Sequence, residues 1–276
     1  MDKTTYSIQF DKTKIKAMRL DQFLQQKFNL PSRTKAQDLI RQGLVFLNMN
    51  GNEQVLKKTG FEVTNEIEKY IFIQTNEYMK YVSRAGLKLE FAIKEFKINV
   101  EGMVVLDVGQ STGGFTDCLL KMNATKIVGI DVGVNQLHES LRNNSKVIFF
   151  ENLNVKELDK NELFLKSIPL NLFDMIVMDV SFISLTKVIP IIEKYLNTNG
   201  HFIFLIKPQF ECGSTNLDSN GIVIPTYNLD MLLQNLKSNI DQTFFCSSRI
   251  ISSILKGKDG NQEYLVYGKK NDSKVI

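Results

Sequence analysis

VVLDVGQSTGGF, residues 104–115, is the stretch that decides how this 276-residue chain is read. Val104, Val105 and Leu106 form the short apolar run that a parallel strand buried on both faces requires, and Asp107 stands where that strand ends. Gly109, Gly113 and Gly114 let the backbone turn tightly and come close to a neighbour, and Phe115 opens a helix whose N-terminus faces the crevice. A nucleoside-bearing cofactor fits such a turn. The candidate contacts there are Asp107, Gly109, Ser111, Gly113, Gly114 and Phe115. The spacing is G-x-x-x-G-G rather than the dinucleotide G-x-G-x-x-G, and the loop carries no phosphate-cradling lysine, which argues for a cofactor without a phosphate. Many strand-to-helix turns are glycine-rich for packing alone, so the loop by itself leaves that reading open.

Outward from this loop, strand-like and helix-like segments alternate from Met103 onward. Strands are expected at 103–108, 125–131, 146–150, 173–179, 201–206, 244–250 and 262–267, with helices near 114–122, 134–142, 184–197 and 226–239. That is the α/β doubly wound pattern, in which ligands sit at the C-terminal ends of the strands. Asp131 closes the second strand, IVGID, about 20 residues beyond the glycine loop, the place from which an acidic residue accepts hydrogen bonds from ribose hydroxyls. Just before the loop, YVSRAGLKLEFAIKEF reads as a helix capped by Ser83, with Leu87, Phe91 and Ile98 as its buried stripe and Lys88 on the opposite side.

Charge is unevenly divided. The formal net charge is +4, yet residues 12–58 hold ten Lys or Arg against three Asp or Glu, leaving the remainder about three units negative. A polyanion is the natural partner of that N-terminal segment, while the rest has the surface of an ordinary enzyme. Cys118, Cys212 and Cys246 are odd in number and widely spaced, which suits a reducing compartment and matches neither a disulfide frame nor a zinc site. No metal is implied. The first residues lack the apolar core of a signal peptide, and no run of about 18 residues is apolar enough to span a bilayer, so a cytoplasmic protein without stable membrane insertion is expected.

The lead before residue 18 holds one strand-like run, TTYSIQF. Residues 18–48 then read as two helices and a strand. Leu20, Phe23 and Leu24 recur at helical spacing, Pro31 breaks that helix, and Ser32 caps a second one with Ala36, Leu39 and Ile40 on one face. Gly43 ends it, Val45 begins a strand, and Asn50-Gly51 signals a hairpin. Arg33, Lys35 and Arg41 are placed to reach phosphates from the wet face of the second helix, with Arg19 and Arg84 as further RNA-binding candidates. A plain amphipathic helix would look the same. The segment closely resembles the small RNA-binding module named after ribosomal small-subunit protein four: Ser32, Arg33, Ala36, Leu39, Ile40, Gly43, Val45 and Asn48 fill its S-R-x-x-A-x-x-L-I-x-x-G-x-V-x-x-N pattern without a gap. The resemblance implies binding to structured RNA.

Four charged residues stand out against the second half. Asp179 follows the apolar run MIVM, Lys207 follows FIFLI, Glu263 opens the final strand, and Lys88 comes from the helix before the glycine loop. Burying an unpaired charge is costly, so these groups either satisfy one another as a structural network or form a site. SRAGLKL, DVGQSTGGFTDCLL, DVSFISL, KPQFE and DGNQEYL, in this order behind the RNA-binding module, closely resemble the TlyA (hemolysin A) family, over roughly residues 18–268. That family joins the module to an FtsJ-like ribosomal RNA methyltransferase domain. The resemblance implies a Rossmann-like fold, S-adenosylmethionine as cofactor, ribosomal RNA or ribosomal subunits as partner, and methyl transfer to a ribose 2'-hydroxyl. It further implies Lys88, Asp179, Lys207 and Glu263 as the catalytic set, and Asn154 in ENLNVK beside Asp131 as a cofactor residue.

The expected division is an RNA-binding domain at 1–74 with its motif core at 18–60, a linker at 75–80, a methyltransferase domain at 81–270 and a tail at 271–276. Gln110 departs from the family pattern, standing where a small residue is usual, as do Leu153 and Lys156 around Asn154. Lys207 reads equally as a base or as an electrostatic stabiliser. A catalytically dead assembly factor, a pore-forming hemolysin and a small-molecule methyltransferase are the competing functions. His138 and His201 fit no triad or ligand spacing, and a surface helix and a strand edge are their expected homes.

Overall fold

The structure is a computed structural model that describes residues 17–30, 32–41, 43–49, 51–73, 80–169, 172–257 and 259–272. The expected leading strand TTYSIQF and nearly all of the expected linker fall outside these residues. The chain divides into two compact units, Met1–Ser83 and Arg84–Ile276.

In the first unit β1 (Met18–Arg19) leads into α1 (Leu20–Lys27), and α2 (Arg33–Arg41) follows. Ser32 Oγ accepts the Lys35 amide at 3.1 Å, as a capping residue should. Next come β2 (Val45–Met49), β3 (Asn52–Val55), β4 (Glu62–Val63) and β5 (Ile71–Ile73). β2 and β3 pair antiparallel with Met49 opposite Asn52, as a hairpin there requires, while Asn50 of the expected Asn50-Gly51 turn lies outside the described residues. β5 adds to the other edge of β2, and β1 pairs separately with β4. The helical repeat supplies the core: Leu20, Phe23 and Leu24 of α1 meet Ala36, Leu39 and Ile40 of α2 over Val45 and Leu47.

The second unit opens with α3 (Ala85–Glu95), β6 (Val104–Val108), α4 (Gly114–Lys121), β7 (Lys126–Ile130), α5 (Glu139–Arg142) and β8 (Val147–Phe150). It continues with α6 (Glu162–Ser167), β9 (Phe173–Met178), α7 (Leu185–Ile192), β10 (Leu196–Ile206), α8 (Leu229–Phe244), β11 (Arg249–Ser252) and β12 (Tyr264–Lys269). Seven strands form one sheet in the order β11-β12-β10-β9-β6-β7-β8. β6 to β10 pair parallel, so the chain reverses direction of build at β6, and the crevice at that reversal holds the glycine loop. β12 runs antiparallel between β10 and β11, a feature the doubly wound pattern did not announce.

Several expectations shift. The expected strand at 244–250 begins only at Arg249, because α8 continues to Phe244 and ends on Phe245 in the left-handed conformation, φ 50°. The helix expected at 134–142 shortens to α5. Ser83 does not cap α3, whose N-cap is Arg84 without a side-chain bond. Lys88 does not sit on a solvent face. α3 buries Gly86, Leu87, Lys88, Leu89 and Glu90 in one run, so it has no wet side there.

Candidate active site

The glycine loop is shaped first by the protein itself. Gly109 has φ +83°, and a Cβ on it would lie 2.5 Å from the carbonyl oxygen of Asp179. Gly113, φ +93°, would meet Leu141 at 2.3 Å and Leu137 at 2.8 Å. Both glycines therefore serve close approach of chain to chain, one of them bringing the end of β6 against the end of β9. Asp131 fastens the loop from the neighbouring strand: its Oδ2 accepts the Ser111 amide at 2.8 Å and its Oδ1 the Gly133 amide at 2.6 Å. Each oxygen keeps a further lone pair for a ligand hydroxyl. Asn154 is drawn to the same corner, since the Leu153 amide donates to Asp131 O at 2.9 Å, and its own side chain caps the following turn through the Lys156 amide. Phe115 differs from the expectation. Its side chain is buried in the core, so it props the loop instead of lining a ligand surface.

Asp107 is fully buried at the end of β6. Its Oδ2 accepts from Thr116 Oγ1 at 2.7 Å, whereas its Oδ1 has no hydrogen-bond partner. Burial pushes its carboxyl up to about 7; the Thr116 hydrogen bond opposes this, and the charges of Asp179 and Asp131 add to it. Three carboxylates thus converge at the ends of β6, β7 and β9. Such a corner repels phosphate and fits a cationic nucleoside; the sulfonium of S-adenosylmethionine has the matching charge. Among the described residues no three His, Cys, Asp or Glu side chains are grouped to hold a metal ion.

The four catalytic candidates fall into two ion pairs at the same end of the sheet. Lys207 Nζ lies 2.7 Å from Asp179 Oδ1 and donates to Ser181 Oγ at 2.8 Å. Asp179 Oδ1 has no aligned donor, so charge rather than a directed hydrogen bond joins that pair. Lys88 donates to Glu263 Oε2 with both side chains almost wholly buried. Ile206 stands opposite Tyr264 in the β10–β12 ladder, so Lys207 and Glu263, each one residue beyond, emerge side by side from adjacent strands.

The loops behind this edge are knitted by residues that periodicity does not flag. Glu211 of KPQFE accepts the Ser184 hydroxyl at 2.6 Å and the Leu185 amide at 2.8 Å, capping α7 and tying the two motif loops together. Asn261 of DGNQEYL accepts from the Val223 amide at 3.0 Å and donates to Gly221 O at 2.9 Å, which pins the Gly221-Ile222-Val223 turn. Phe182, three residues after Asp179, is 90% exposed with φ +64° and lies 5.0 Å from the ring of Phe210, three residues after Lys207. A bulky aromatic held in the left-handed region and left in water is costly twice over, which marks a surface kept for something other than folding. Matching placement in DVSFISL and KPQFE is the signal that could have found it.

Cys118 and Cys212 are buried, and burial pushes the Cys246 thiol up to about 12, so no described cysteine is set up as a nucleophile. His138 caps α5 through the Ser140 amide, and His201 lies inside β10 (Leu196–Ile206) against the Tyr267 hydroxyl rather than at a strand edge.

In the first unit one buried carboxylate organises the basic face. Asp21 accepts from Arg19 Nε at 3.2 Å on Oδ1, and from Arg33 Nε at 2.9 Å and Gln37 Nε2 at 2.8 Å on Oδ2. Both guanidinium groups are gripped at Nε while their side chains remain nearly half exposed. Arg41 is exposed as expected. Lys35 is not: it is 7% exposed and its ammonium donates to Tyr81 O at 3.1 Å, so it leaves the phosphate-reaching face that its helical position suggested. Arg84 belongs to the second unit, where it donates to Lys256 O at 3.2 Å.

The FtsJ-like methyltransferase family matches residues 81–270 and the S4 domain family residues 18–66. The chain is 43% identical to Hemolysin A of Brachyspira hyodysenteriae over 91% of its own length and 99% of that protein. It is 34% identical to 23S rRNA (cytidine-2'-O)-methyltransferase TlyA of Campylobacter jejuni, covering 92% of this chain and 100% of that one. A solved structure from Streptococcus thermophilus, described under the hemolysin name, superposes with a TM-score of 0.68 at 31% identity, covering 93% of this chain and 90% of that one. With both domain families in order and relatives of this identity matched nearly end to end, the chain belongs to the TlyA (hemolysin A) family, which joins an S4 domain to an FtsJ-like methyltransferase domain.

Proposed function

We propose that this protein transfers a methyl group from S-adenosylmethionine to a ribose 2'-hydroxyl of ribosomal RNA. The observation that carries the reading is the Lys207–Asp179 ion pair at the end of two parallel strands, with an acidic corner and the exposed Phe182, tilted against Phe210, on neighbouring segments. When bound, S-adenosylmethionine supplies a methyl group on a sulfonium, already a strong electrophile, so the chain has mainly to align and assist the attacking oxygen.

Lys207 has three ammonium protons. Ser181 takes one, Asp179 is joined by charge alone, and a remaining proton is left for the ribose oxygen, whose developing charge it stabilises. Asp179 holds the ammonium in place. The Lys88–Glu263 pair is self-neutralised and buried, and it fixes the ends of α3 and β12 beside Lys207. Phe182 and Phe210 offer the face on which an unstacked base rests while its ribose is methylated. Asp131 takes the cofactor ribose on its open lone pairs, and Arg19, Arg33 and Arg41 take RNA phosphates.

The hemolysin name of the relatives is not matched by a membrane-competent helix: among the described residues none is long and apolar enough to cross a bilayer. Ribosomal RNA as substrate puts the working protein in the cytoplasm. The test is label transfer: with methyl-labelled S-adenosylmethionine and ribosomal subunits, label should enter RNA with the intact chain and not with Lys207→Ala. Equal labelling by both would remove Lys207 from the chemistry, and absence of label with any ribosomal substrate would contradict the proposed activity.

A further inference from the structure

Asp107 is held by a chain of two donors that the proposed activity does not use. Gln110 Nε2 donates to Thr116 Oγ1 at 2.8 Å, and Thr116 Oγ1 donates to Asp107 Oδ2 at 2.7 Å. All three side chains are buried. A hydroxyl has one proton, and because Thr116 receives from Gln110 its proton is committed to Asp107. Gly129 makes the arrangement possible, since a Cβ there would lie 2.1 Å from the Gln110 amide. The large residue that stands where the family pattern has a small one is therefore seated in a space cleared for it on the next strand.

We propose that Gln110 and Thr116 are positioning residues that direct Asp107 Oδ1 to hold a proton in the free protein and to release it to solvent when a cationic cofactor binds at the glycine loop. With Oδ2 occupied by the Thr116 proton, Oδ1 is the only carboxyl atom left to carry one, and it is buried without a partner.

The groups around it explain the coupling. Asp179 at the end of β9 and Asp131 at the end of β7 both disfavour a charged Asp107. Lys207 offsets Asp179, the Ser111 and Gly133 amides hold Asp131, Asp117 on α4 is paired with Lys121, and Lys88 is spent on Glu263. Among the described residues these cations are thus already paired, and the carboxyl of Asp107 is pushed up to about 7 by burial first, against the Thr116 hydrogen bond and with the two neighbouring charges adding. A bound cation supplies what is missing. The sign follows: a raised carboxyl stays protonated up to neutrality, so cofactor affinity rises with pH and levels off above about 7.

This inference rests on the S-adenosylmethionine reading, and calorimetry of the full chain separates the two. Titration with S-adenosylmethionine in buffers of different ionisation enthalpy gives the protons released on binding. Most of a proton is expected at pH 6 and little at pH 8, with affinity rising several-fold between them. Asp107→Asn should abolish the release. Thr116→Val removes a donor that favours the charged form, so it should extend release to pH 8, and Gln110→Ala should move it the same way by less. The ligand's own amine titrates alike in every case, so differences between variants report the protein. Thermal melts show whether each variant folds. Binding with no proton release at pH 6, release persisting in Asp107→Asn, or an unshifted profile in folded Thr116→Val would overturn the inference alone. Absence of binding would overturn the cofactor reading and the inference with it.

Discussion

At Lys207 the chemistry depends on which ammonium protons are already committed. Ser181 accepts one and the Asp179 charge holds the ammonium, so on the proposed mechanism the residue is an aimed charge, and Lys207→Ala should lower single-turnover methyl transfer by about 10²–10³-fold while cofactor and RNA affinities hold. Lys207→Arg keeps the charge in a planar fork, and substantial residual activity in it would identify electrostatic stabilisation over proton abstraction. Phe182→Ala should weaken RNA engagement by about 1–3 kcal/mol in a methylation KM, leaving calorimetric cofactor affinity unchanged. The strand-end placement of Asp179, Lys207 and Glu263 was legible in the sequence because each is a charge at the end of an apolar run, while their catalytic role rests on the family resemblance. Phe182 was not, since an aromatic inside DVSFISL reads as core until its 90% exposure is seen. Lys35 and Lys88 were misjudged for a common reason. Helical periodicity finds the most apolar face but does not show when a second face is also covered, and both lysines are buried with partners of their own.

Among the elements, the β6–α4 loop and the α1–α2 pair carry the clearest consequences. Gly109→Ala would force a side chain into backbone that is left-handed and 2.5 Å from Asp179 O, so a destabilisation of about 3 kcal/mol is expected in denaturant titrations, with loss of activity as Asp179 shifts. In the first unit Asp21 works against its own burial: donation from Gln37, Arg33 and Arg19 holds its carboxyl well below the ordinary carboxylate range. A depressed carboxyl contributes stability above its unfolded value of 3.8 and loses that contribution as pH falls below it. Asp21→Asn should therefore destabilise the protein by about 2–4 kcal/mol at pH 7, with the gap closing as the medium is acidified below pH ~4. Strands bounded by turn chemistry were readable from sequence, including the β2–β3 hairpin. The end of α8 was not, because the apolar run that suggested a strand also continues the helix, and only tertiary packing of Phe244 decides between them.

At the scale of the whole molecule, charge is apportioned by task. A surplus of seven positive charges in residues 12–58 accompanies the S4 domain, and the acidic corner of Asp107, Asp131 and Asp179 accompanies the methyltransferase sheet. RNA affinity should consequently fall steeply with salt, and Arg33→Gln and Arg41→Gln should each reduce the slope of log affinity against log salt by about 1, with cofactor affinity untouched. The order of the two domains was legible from motifs alone, whereas the antiparallel β12 was not, since pairing direction leaves no mark on a short apolar strand. The most direct measurement of the central claim is where the methyl group goes. Ribosomal RNA labelled by this protein from S-adenosylmethionine should be hydrolysed in alkali and its fragments separated, because a 2'-O-methyl group blocks cleavage of the adjoining phosphodiester. The account predicts that the label is recovered in an alkali-resistant dinucleotide. Recovery in a mononucleotide, which places the methyl on a base, would contradict it.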